Sequence, residues 1–208
     1  DLTLPQGEII GIIGNNGAGK STFARCLCGL DKRALGELEL NGHSYRAKQR
    51  CHISYMVMQD VNHQLFTEDV LDELLLSMDG EDEKENTEWA NQILSSLDLA
   101  AKIKLHPMSL SGGEKQRVAI GSAIASNKEI LVFDEPTSGL DYFHMVEVSD
   151  NLNRLKDMGK SLFLITHDPE LIYKCCTYLL FIQENKVLWH RPMDDEAIKL
   201  LRAFFSHE

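Results

Sequence analysis

The chain has 208 residues, of which 43% are hydrophobic and 25% are charged, the balance of an ordinary globular domain. Its formal net charge of −11 argues against a protein that coats nucleic acid, because affinity for the phosphate backbone depends on Lys and Arg. No apolar run approaches the roughly 18 residues of a transmembrane helix, and the chain is long enough to bury a core without disulfides or a structural metal.

In the first part of the chain, the sequence predicts a strand, a helix, a hairpin and a second strand, in that order. A short apolar run bounded by glycines, Glu8 to Ile13, is typical of a strand that is buried on both faces. Ser21 to Leu30 predicts a helix closed by Gly29, and Ile53 to Met58 predicts another strand. Between them, Glu37 to Leu40 alternates polar and apolar residues and leads into an Asn-Gly pair, the strongest short hairpin signal.

Residues 66 to 125 change to helical periodicity. Two sets of apolar residues each share one helical face, and an acidic stretch at residues 79 to 83 separates the sets. The sets are Val70, Leu71, Leu74 and Leu75, and then Trp89, Ile93, Leu94 and Leu97. We therefore expect a helical subdomain at residues 66 to 126, inserted between two parts of a core at residues 1 to 65 and 127 to 208.

After residue 127, strands and helices alternate again. The expected elements are strand Ile130–Phe133, a helix near Phe143–Met158, strands Leu162–Ile165 and Tyr178–Ile182, and an amphipathic closing helix at Asp194–Phe205. Strands that alternate with helices are typical of a parallel sheet covered on both faces. The predicted fold class is therefore an α/β core interrupted by a helical insert.

Gly14 to Ser21 reads Gly-Asn-Asn-Gly-Ala-Gly-Lys-Ser and fits the phosphate-loop pattern GxxxxGK[ST]. A predicted strand precedes it and a predicted helix follows it, which is the context that the motif requires. Backbone N–H groups between the glycines surround a polyphosphate, and the helix directs the positive end of its dipole at the same anion. Lys20 is expected to reach the β- and γ-phosphates, and Ser21 to supply a hydroxyl to Mg²⁺. An ordinary glycine-rich turn is the competing interpretation.

A second motif is an apolar strand that ends in two acids, Ile130 to Glu135. A buried parallel strand delivers its last side chains to the carboxyl edge of the sheet, where ligands bind in such folds. Asp134 is placed to hold Mg²⁺ through water, and Glu135 is placed to polarise an attacking water, which hydrolysis needs. Such a strand is common by itself, but beside a phosphate loop it indicates nucleotide hydrolysis.

A third segment, Leu110 to Arg117, reads Leu-Ser-Gly-Gly-Glu-Lys-Gln-Arg. Ser111 and Glu114 have the S-x-x-E spacing of a capping box, so the segment predicts a helix start. The plain interpretation is a well-capped helix and nothing more. The two intervening glycines cost helix stability, however, and that cost is understandable where bare backbone amides face an anion.

With these segments in view, nearly the whole chain resembles the ATP-binding-cassette (ABC) ATPases. Six motifs of that family match in family order: Walker A at Gly14–Ser21, the Q-loop at Gln59, the signature at Leu110–Gln116, Walker B at Ile130–Glu135, the D-loop at Ser138–Asp141 and the switch histidine at His167. The resemblance implies a P-loop NTPase core of the RecA-like type, with an inserted α-helical signature subdomain.

The resemblance also implies the site residues. Glu135, His167 and Gln59 would be catalytic, and Ser21, Gln59 and Asp134 would hold Mg²⁺. The nucleotide-binding residues would be Asn15, Asn16, Gly17, Ala18, Gly19, Lys20, Ser21 and Thr22, together with Ser111, Gly112, Gly113 and Asp141. The signature residues would come from a partner chain and contact the γ-phosphate, which implies a head-to-tail pair with ATP between the subunits. Asp141 has a simpler alternative role as a helix N-cap.

The expected cofactors are therefore ATP and Mg²⁺. The expected partners are a second ABC ATPase domain, in a homodimer, a heterodimer or a fused pair of cassettes, and a transmembrane transporter subunit. That second partner would place the chain at the cytoplasmic face of the cell membrane. No nucleic-acid partner is expected.

The segment from Gln59 to Val70 resembles the Q-loop region of energy-coupling-factor importer ATPases, which commonly carry the Gln-Leu-Phe step found at residues 64 to 66. This resemblance implies uptake of a vitamin or a transition-metal ion. Two alternatives stay open: Leu65 and Phe66 only pack the helical insert, or the chain is a non-transport ABC ATPase that acts as a regulatory or nucleic-acid-associated clamp. Glu135 and His167 argue against a degenerate module without turnover.

The phosphate loop begins at position 14, whereas the domain of this family normally begins with additional strands. Those strands carry an aromatic residue that stacks on adenine. We expect that region upstream of Asp1 in a longer polypeptide, which would have either a normal start or a fused second cassette.

Overall fold

The computed structural model describes residues 1–80 and 82–206. The strands of the described residues are β1 (Ile9–Ile13), β2 (Leu38–Leu40), β3 (His43–Tyr45), β4 (Ser54–Val57), β5 (Ile130–Asp134), β6 (Ser161–Ile165), β7 (Tyr178–Gln183) and β8 (Lys186–Pro192). Within this part of the chain, six strands form one sheet in the order β4-β5-β6-β1-β7-β8, and β2 and β3 form a separate hairpin.

The helices in the same part of the chain vary from four to sixteen residues. They are α1 (Lys20–Leu27), α2 (Ala47–Arg50), α3 (Val70–Leu76), α4 (Glu83–Ser96), α5 (Gly112–Ala125), α6 (Tyr142–Asp157), α7 (Pro169–Cys175) and α8 (Asp195–Phe205). Short 3₁₀ turns occupy Val61–His63, Ala100–Lys102 and Pro107–Ser109. Across the described ranges, none of the helices combines the length and the apolar character needed to cross a bilayer.

Strands β4, β5, β6, β1 and β7 run parallel to one another, and β8 pairs antiparallel with β7. In β1, Ile12 lies between Ile165 of β6 and Leu180 of β7. In β5, Asp134 lies beside the same Ile165. Because parallel strands end at one edge, the segments that follow β1, β5 and β6 meet there. The predicted α/β architecture with a parallel sheet is confirmed.

Strand β1 lies in the interior of the sheet, between β6 and β7, and its burial shows what stabilises the sheet there. All five of its residues are buried. Successive side chains of a strand point to opposite faces, so Ile9 and Ile13 join one apolar core and Ile10 and Ile12 join the other. Both faces are covered, as parallel sheets require.

Helices α3, α4 and α5 lie between β4 and β5 in the chain, where the sequence predicts a helical insert. A Cβ at Gly121 of α5 would lie 3.1 Å from Leu97 Cδ1, so this glycine lets the helices approach closely. Buried residues of the three helices belong to the same core as Ile9 and Ile13. The insert is therefore packed continuously against one face of the sheet.

The structure also corrects the sequence-based expectations at several points. The first helix is α1, which begins one residue early and ends before Gly29. The sequence analysis did not predict α2, α7 or β8. Trp89 is 39% exposed and so leaves the buried face on which we expected it, and Phe66 is 72% exposed whereas Leu65 is buried. Position 81 of the acidic stretch lies outside the described residues.

Candidate active site

Close contacts with neighbouring residues fix the conformation of the phosphate loop at the edge of the sheet. Gly14 has a φ of +149°, and a Cβ there would lie 2.0 Å from the carbonyl oxygen of Ile182 at the end of β7. Gly19 has a φ of +103° and begins α1 without a side-chain cap. The Lys20 side chain is buried, and its Nζ donates to the carbonyls of Gly14 and Asn15, the second at 3.1 Å. The ammonium group therefore lies across the mouth of the loop.

Asp134, the last residue of β5, lies directly opposite this loop. Its carboxylate accepts a hydrogen bond from the Ser21 hydroxyl. Burial raises the pKa of Asp134 above its ordinary value, and the Ser21 hydrogen bond and the Lys20 charge oppose that shift. A hydroxyl and a carboxylate oxygen are hard donors of the kind that Mg²⁺ prefers, and Mg²⁺ is usually held by only one or two such groups plus substrate phosphates. The residues present fit this ion.

Glu135 follows Asp134 in an unusual backbone conformation. Its φ is +51°, and its N–H donates to the carbonyl of Ile165 at 2.8 Å. The carboxylate lies 3.7 Å from His167 Nε2 and accepts the His167 N–H at 3.4 Å. A glutamate in the left-handed region costs about 1 kcal/mol or more, and such conformations concentrate at functional sites. The turn directs this carboxylate toward the sheet edge.

The electrostatic setting of Glu135 favours proton uptake. Burial raises the pKa of this carboxyl, and the nearby Asp134 charge raises it further. His167 and the Thr166 hydroxyl oppose the shift by stabilising the ionised form. A carboxylate with a raised pKa is a better proton acceptor near neutral pH than an exposed one.

These groups surround one cavity of about 260 Å³. Its lining contains most of the site residues predicted from the sequence: Asn16, Gly17, Ala18, Gly19, Lys20, Ser21, Thr22, Gln59, Asp134, Glu135 and His167. Asn15 contributes its backbone carbonyl to Lys20 and lies just outside this lining. Gln59, two residues beyond the end of β4, reaches the cavity from the far side of β5.

Besides Asn15, four predicted residues do not line that cavity: Ser111, Gly112, Gly113 and Asp141. Ser111 caps α5 with the predicted capping box, because its Oγ accepts the Glu114 N–H at 3.3 Å and the Glu114 carboxylate accepts the Ser111 N–H at 2.8 Å. Asp141 caps α6 by accepting the His144 N–H at 2.9 Å. The N-cap interpretation of Asp141 is therefore confirmed, and all four residues lie outside the lining of the cavity.

The sequence analysis missed Asn185, which also lines the cavity. It lies in the two-residue turn between β7 and β8, and its N–H donates to the carbonyl of Ala18 at 2.9 Å. Apolar, strand-favouring residues on both sides of the polar Glu184-Asn185 pair, such as Ile182 and Val187, were the available sequence signal for a hairpin here.

Comparison with known proteins agrees with this geometry. Residues 1–138, well over half of the chain, match the family model described as ABC transporter. The chain belongs to the ABC transporter family. It is an ATPase domain of that family, and the observed core and helical insert are those of the family's cassettes.

Among the curated relatives, a putative ABC transporter ATP-binding protein of Treponema denticola is 45% identical over 183 residues, which are 88% of this chain and 36% of that protein. The methionine import ATP-binding protein MetN of Bacillus subtilis is 36% identical over 198 residues, which cover 90% of this chain and 57% of MetN. The chain thus spans about a third of the Treponema protein.

Among solved structures, the post-hydrolysis dimer of the ATP-binding cassette MJ0796 bound to ADP and Pi is similar to this chain. It has a TM-score of 0.80 and 25% sequence identity, over 93% of this chain and 88% of that chain. The cassette fold of the present domain is therefore that of an ATPase crystallised with its reaction products.

Proposed function

We propose that this cassette binds MgATP, hydrolyses it together with a second cassette and thereby drives transport through a membrane partner. The observation that carries the proposal is the convergence of Lys20, Asp134, Glu135 and His167 on one cavity at the carboxyl edge of the sheet. Simple nucleotide binding needs the phosphate loop alone. A half-buried carboxylate held by a histidine beside that loop is what hydrolysis adds.

Binding rests on the loop and on α1. Backbone N–H groups of the loop and the N-terminus of α1 face the cavity, and their dipoles favour a polyphosphate there. Lys20 would turn its ammonium from the loop carbonyls to the β- and γ-phosphates. Ser21 and Asp134, with Gln59 across the cavity, would hold Mg²⁺. When bound, that ion neutralises phosphate charge as it develops during transfer.

Hydrolysis rests on Glu135. Its carboxylate would accept a proton from water while the water oxygen attacks the γ-phosphorus and the bond to the ADP oxygen breaks. The raised pKa of Glu135 suits this task, because proton transfer is most effective when the pKa of the base is near the working pH. His167 holds the carboxylate through its backbone N–H and its ring.

A second cassette would complete the site. The start of α5 presents exposed Ser111 and Gly112 away from its own cavity. Helix N-termini attract anions, so this segment would meet the γ-phosphate bound to the partner. The insert at residues 66 to 126 would then rotate as a unit when the pair closes on ATP and reopens after hydrolysis.

Coupling to a membrane importer is supported by the methionine-import relatives and by one exposed aromatic residue. Phe66 follows the 3₁₀ turn after Gln59. Its backbone N–H and that of Thr67 both donate to the Glu73 carboxylate at 3.0 Å, and Glu73 is itself buried. An exposed ring on a segment that is held by hydrogen bonds to a buried carboxylate is suited to contact a partner.

The Gln-Leu-Phe step at residues 64 to 66 further supports an importer of the energy-coupling-factor type, with a vitamin or a transition-metal ion as cargo. Location at the cytoplasmic face of the membrane follows from such a partner. The alternative, a non-transport clamp, predicts that the protein does not cofractionate with a membrane subunit. Membrane fractionation, with Phe66→Ser compared against the wild type, separates the two: an importer subunit is recovered with membranes and Phe66→Ser weakens that recovery.

Glu135→Gln tests the catalytic proposal. The amide keeps the shape of the side chain and removes its basicity, so turnover falls by roughly 10² to 10⁴-fold while ATP binding is kept or strengthened. The variant accumulates as an ATP-bound pair, which size-exclusion mass with and without MgATP detects beside phosphate release. Glu129→Gln, at the opposite end of β5, is the matched control and stays near wild-type activity. Normal hydrolysis by a monomeric Glu135→Gln protein contradicts the proposal.

A further inference from the structure

The β7–β8 hairpin meets the phosphate loop at the sheet edge. Strand β7 pairs in parallel with β1, with Phe181 beside Ile13, the last residue of β1, and β7 continues for two more residues before its turn. The chain leaves β1 into the phosphate loop and leaves β7 into the turn Glu184-Asn185. Both turn residues have positive φ values, +51° and +61°, as a tight two-residue hairpin requires.

Two separate contacts join Asn185 to the loop. Its N–H donates to the Ala18 carbonyl at 2.9 Å. Its side chain packs over Gly19, where a Cβ would lie 2.6 Å from Asn185 Oδ1 and 3.3 Å from Asn185 Cα. Three residues before Asn185, the Ile182 carbonyl of β7 lies against Gly14 at the start of the phosphate loop. The hairpin therefore touches the phosphate loop near both of its ends.

We propose that Asn185 is a positioning residue for nucleotide binding, an inference that rests on the proposed function of the same cavity. Its N–H holds the Ala18 carbonyl toward the hairpin, which leaves the N–H groups on the opposite side of the loop facing the cavity. Its carboxamide occupies the space above Gly19 and keeps the N-terminal turn of α1 in place. Asn185 also lines the cavity, as Ser21 and Thr22 do.

The chemistry of the carboxamide matters as well as its shape. Asn is neutral and tolerates positive φ, so it satisfies the turn without placing charge beside a polyphosphate. Asp is nearly isosteric and also tolerates positive φ, but it would direct a negative charge at the same anion. Gly would satisfy the turn and keep the N–H, but it would leave the space above Gly19 open.

Two variants of the full-length protein test these roles. Asn185→Gly is expected to raise the KM for MgATP about five- to tenfold with kcat within about twofold, while thermal stability is unchanged, because Gly suits positive φ. Asn185→Asp is expected to raise KM more than tenfold at low ionic strength, and the increase is expected to shrink as salt screens the added charge.

The matched controls are Asn41→Gly and Asn41→Asp. Asn41 occupies the two-residue turn between β2 and β3 with a φ of +53°, and it does not line the cavity. Both control variants are expected to keep the wild-type KM at every salt concentration. A purely structural turn role predicts that the variants at both positions behave alike.

Wild-type KM in both Asn185 variants overturns the positioning role. So does an Asn185→Asp effect that is independent of salt, because it would show a steric change rather than charge at the phosphate loop. A wild-type protein that binds no MgATP overturns the proposed function instead, and fluorescent-nucleotide titration of the wild type distinguishes that failure from the first two.

Discussion

Helix α1 begins after a glycine-rich loop and α5 begins with two glycines, and the two starts are built differently. Before α1, the chain is forced into conformations that neighbouring backbone dictates: Gly14 lies against Ile182, and Gly19 lies under Asn185. Before α5, Ser111 is an ordinary N-cap in a capping box, and a Cβ at Gly112 would meet nothing within 4 Å. The phosphate loop needs Gly14 and Gly19 in order to fold, whereas α5 does not need Gly112; at Gly113 a Cβ would lie 3.1 Å from Leu140 Cδ2.

The difference shows where to look for function. A glycine that packing demands says little about ligands, since its absence would disturb the fold itself. Gly112 and Gly113 each weaken a helix by up to about 1 kcal/mol relative to Ala, with no such demand at Gly112. Bare backbone at the exposed start of α5 is therefore best explained by a contact from outside the chain, such as the proposed second cassette.

The largest effect is expected from Gly14→Ala. The new Cβ would overlap the Ile182 carbonyl at a φ that Ala rarely adopts, so the free energy of unfolding falls by about 3 kcal/mol and nucleotide binding is lost. Urea denaturation and nucleotide titration measure the two losses. A Gly14→Ala protein of normal stability would show that the hairpin gives way easily, and the contrast with α5 would disappear.

Gly112→Ala is expected to keep the stability of the protein and to lower its activity. Stability stays the same or rises slightly because Ala favours the helix, whereas ATP turnover falls at least tenfold, about 1.4 kcal/mol, because the methyl group keeps a partner's phosphate from the bare amides. Thermal unfolding and steady-state phosphate release provide the measurements. Unchanged turnover would mean that α5 begins with glycine for no reason connected with catalysis.

Ser111→Ala removes the side-chain cap that accepts the Glu114 N–H at the start of α5. Loss of an N-cap serine costs about 1 kcal/mol, which for a domain of this size lowers the Tm by roughly 2–4 °C. Differential scanning calorimetry detects a change of this size. Since α1 has no side-chain cap, Thr22→Ala, a change in its exposed first turn, is expected to leave Tm nearly unchanged, and equal losses in both variants would contradict the distinction.

The smallest expected effects concern the pH dependence of stability, which has opposite signs for Glu135 at the cavity and for Glu114 in α5. Burial raises the pKa of Glu135, so its ionisation costs stability as the pH rises through that pKa. The Ser111 N–H and the Lys102 charge lower the pKa of Glu114, so its stabilisation is present above its ordinary value and is lost as the pH falls through the lowered one.

We therefore expect Glu135→Gln to raise Tm at pH 8 by more than at pH 4.5. Glu114→Gln should lower Tm at pH 8, with a loss that shrinks toward pH 3. Melting curves across this range measure both changes, and shifts of the same sign in the two variants would show that burial at Glu135 does not raise its pKa.

Local signals explain why much of the fold and the site was predictable. The apolar run of β1, the Asn-Gly hairpin and the capping box of α5 each depend on neighbouring residues in the chain. The phosphate loop is one continuous segment, so its residues were found together. Asn185 was missed because its role arises from the pairing of β7 with β1, which brings together residues far apart in sequence. Strand β8 was missed because an edge strand with alternate exposed residues carries no apolar run.

Ser111 has one more consequence for the proposed pair of cassettes. Its oxygen accepts the Glu114 N–H through a lone pair, and its hydroxyl donates to the Glu114 carboxylate. The hydroxyl can therefore turn from that carboxylate to a phosphate oxygen while the Ser111 oxygen keeps capping the helix. Association then requires little rearrangement of this surface, because the geometry that receives the anion is already set by folding. A subunit preorganised in this way loses less conformational entropy each time the pair closes.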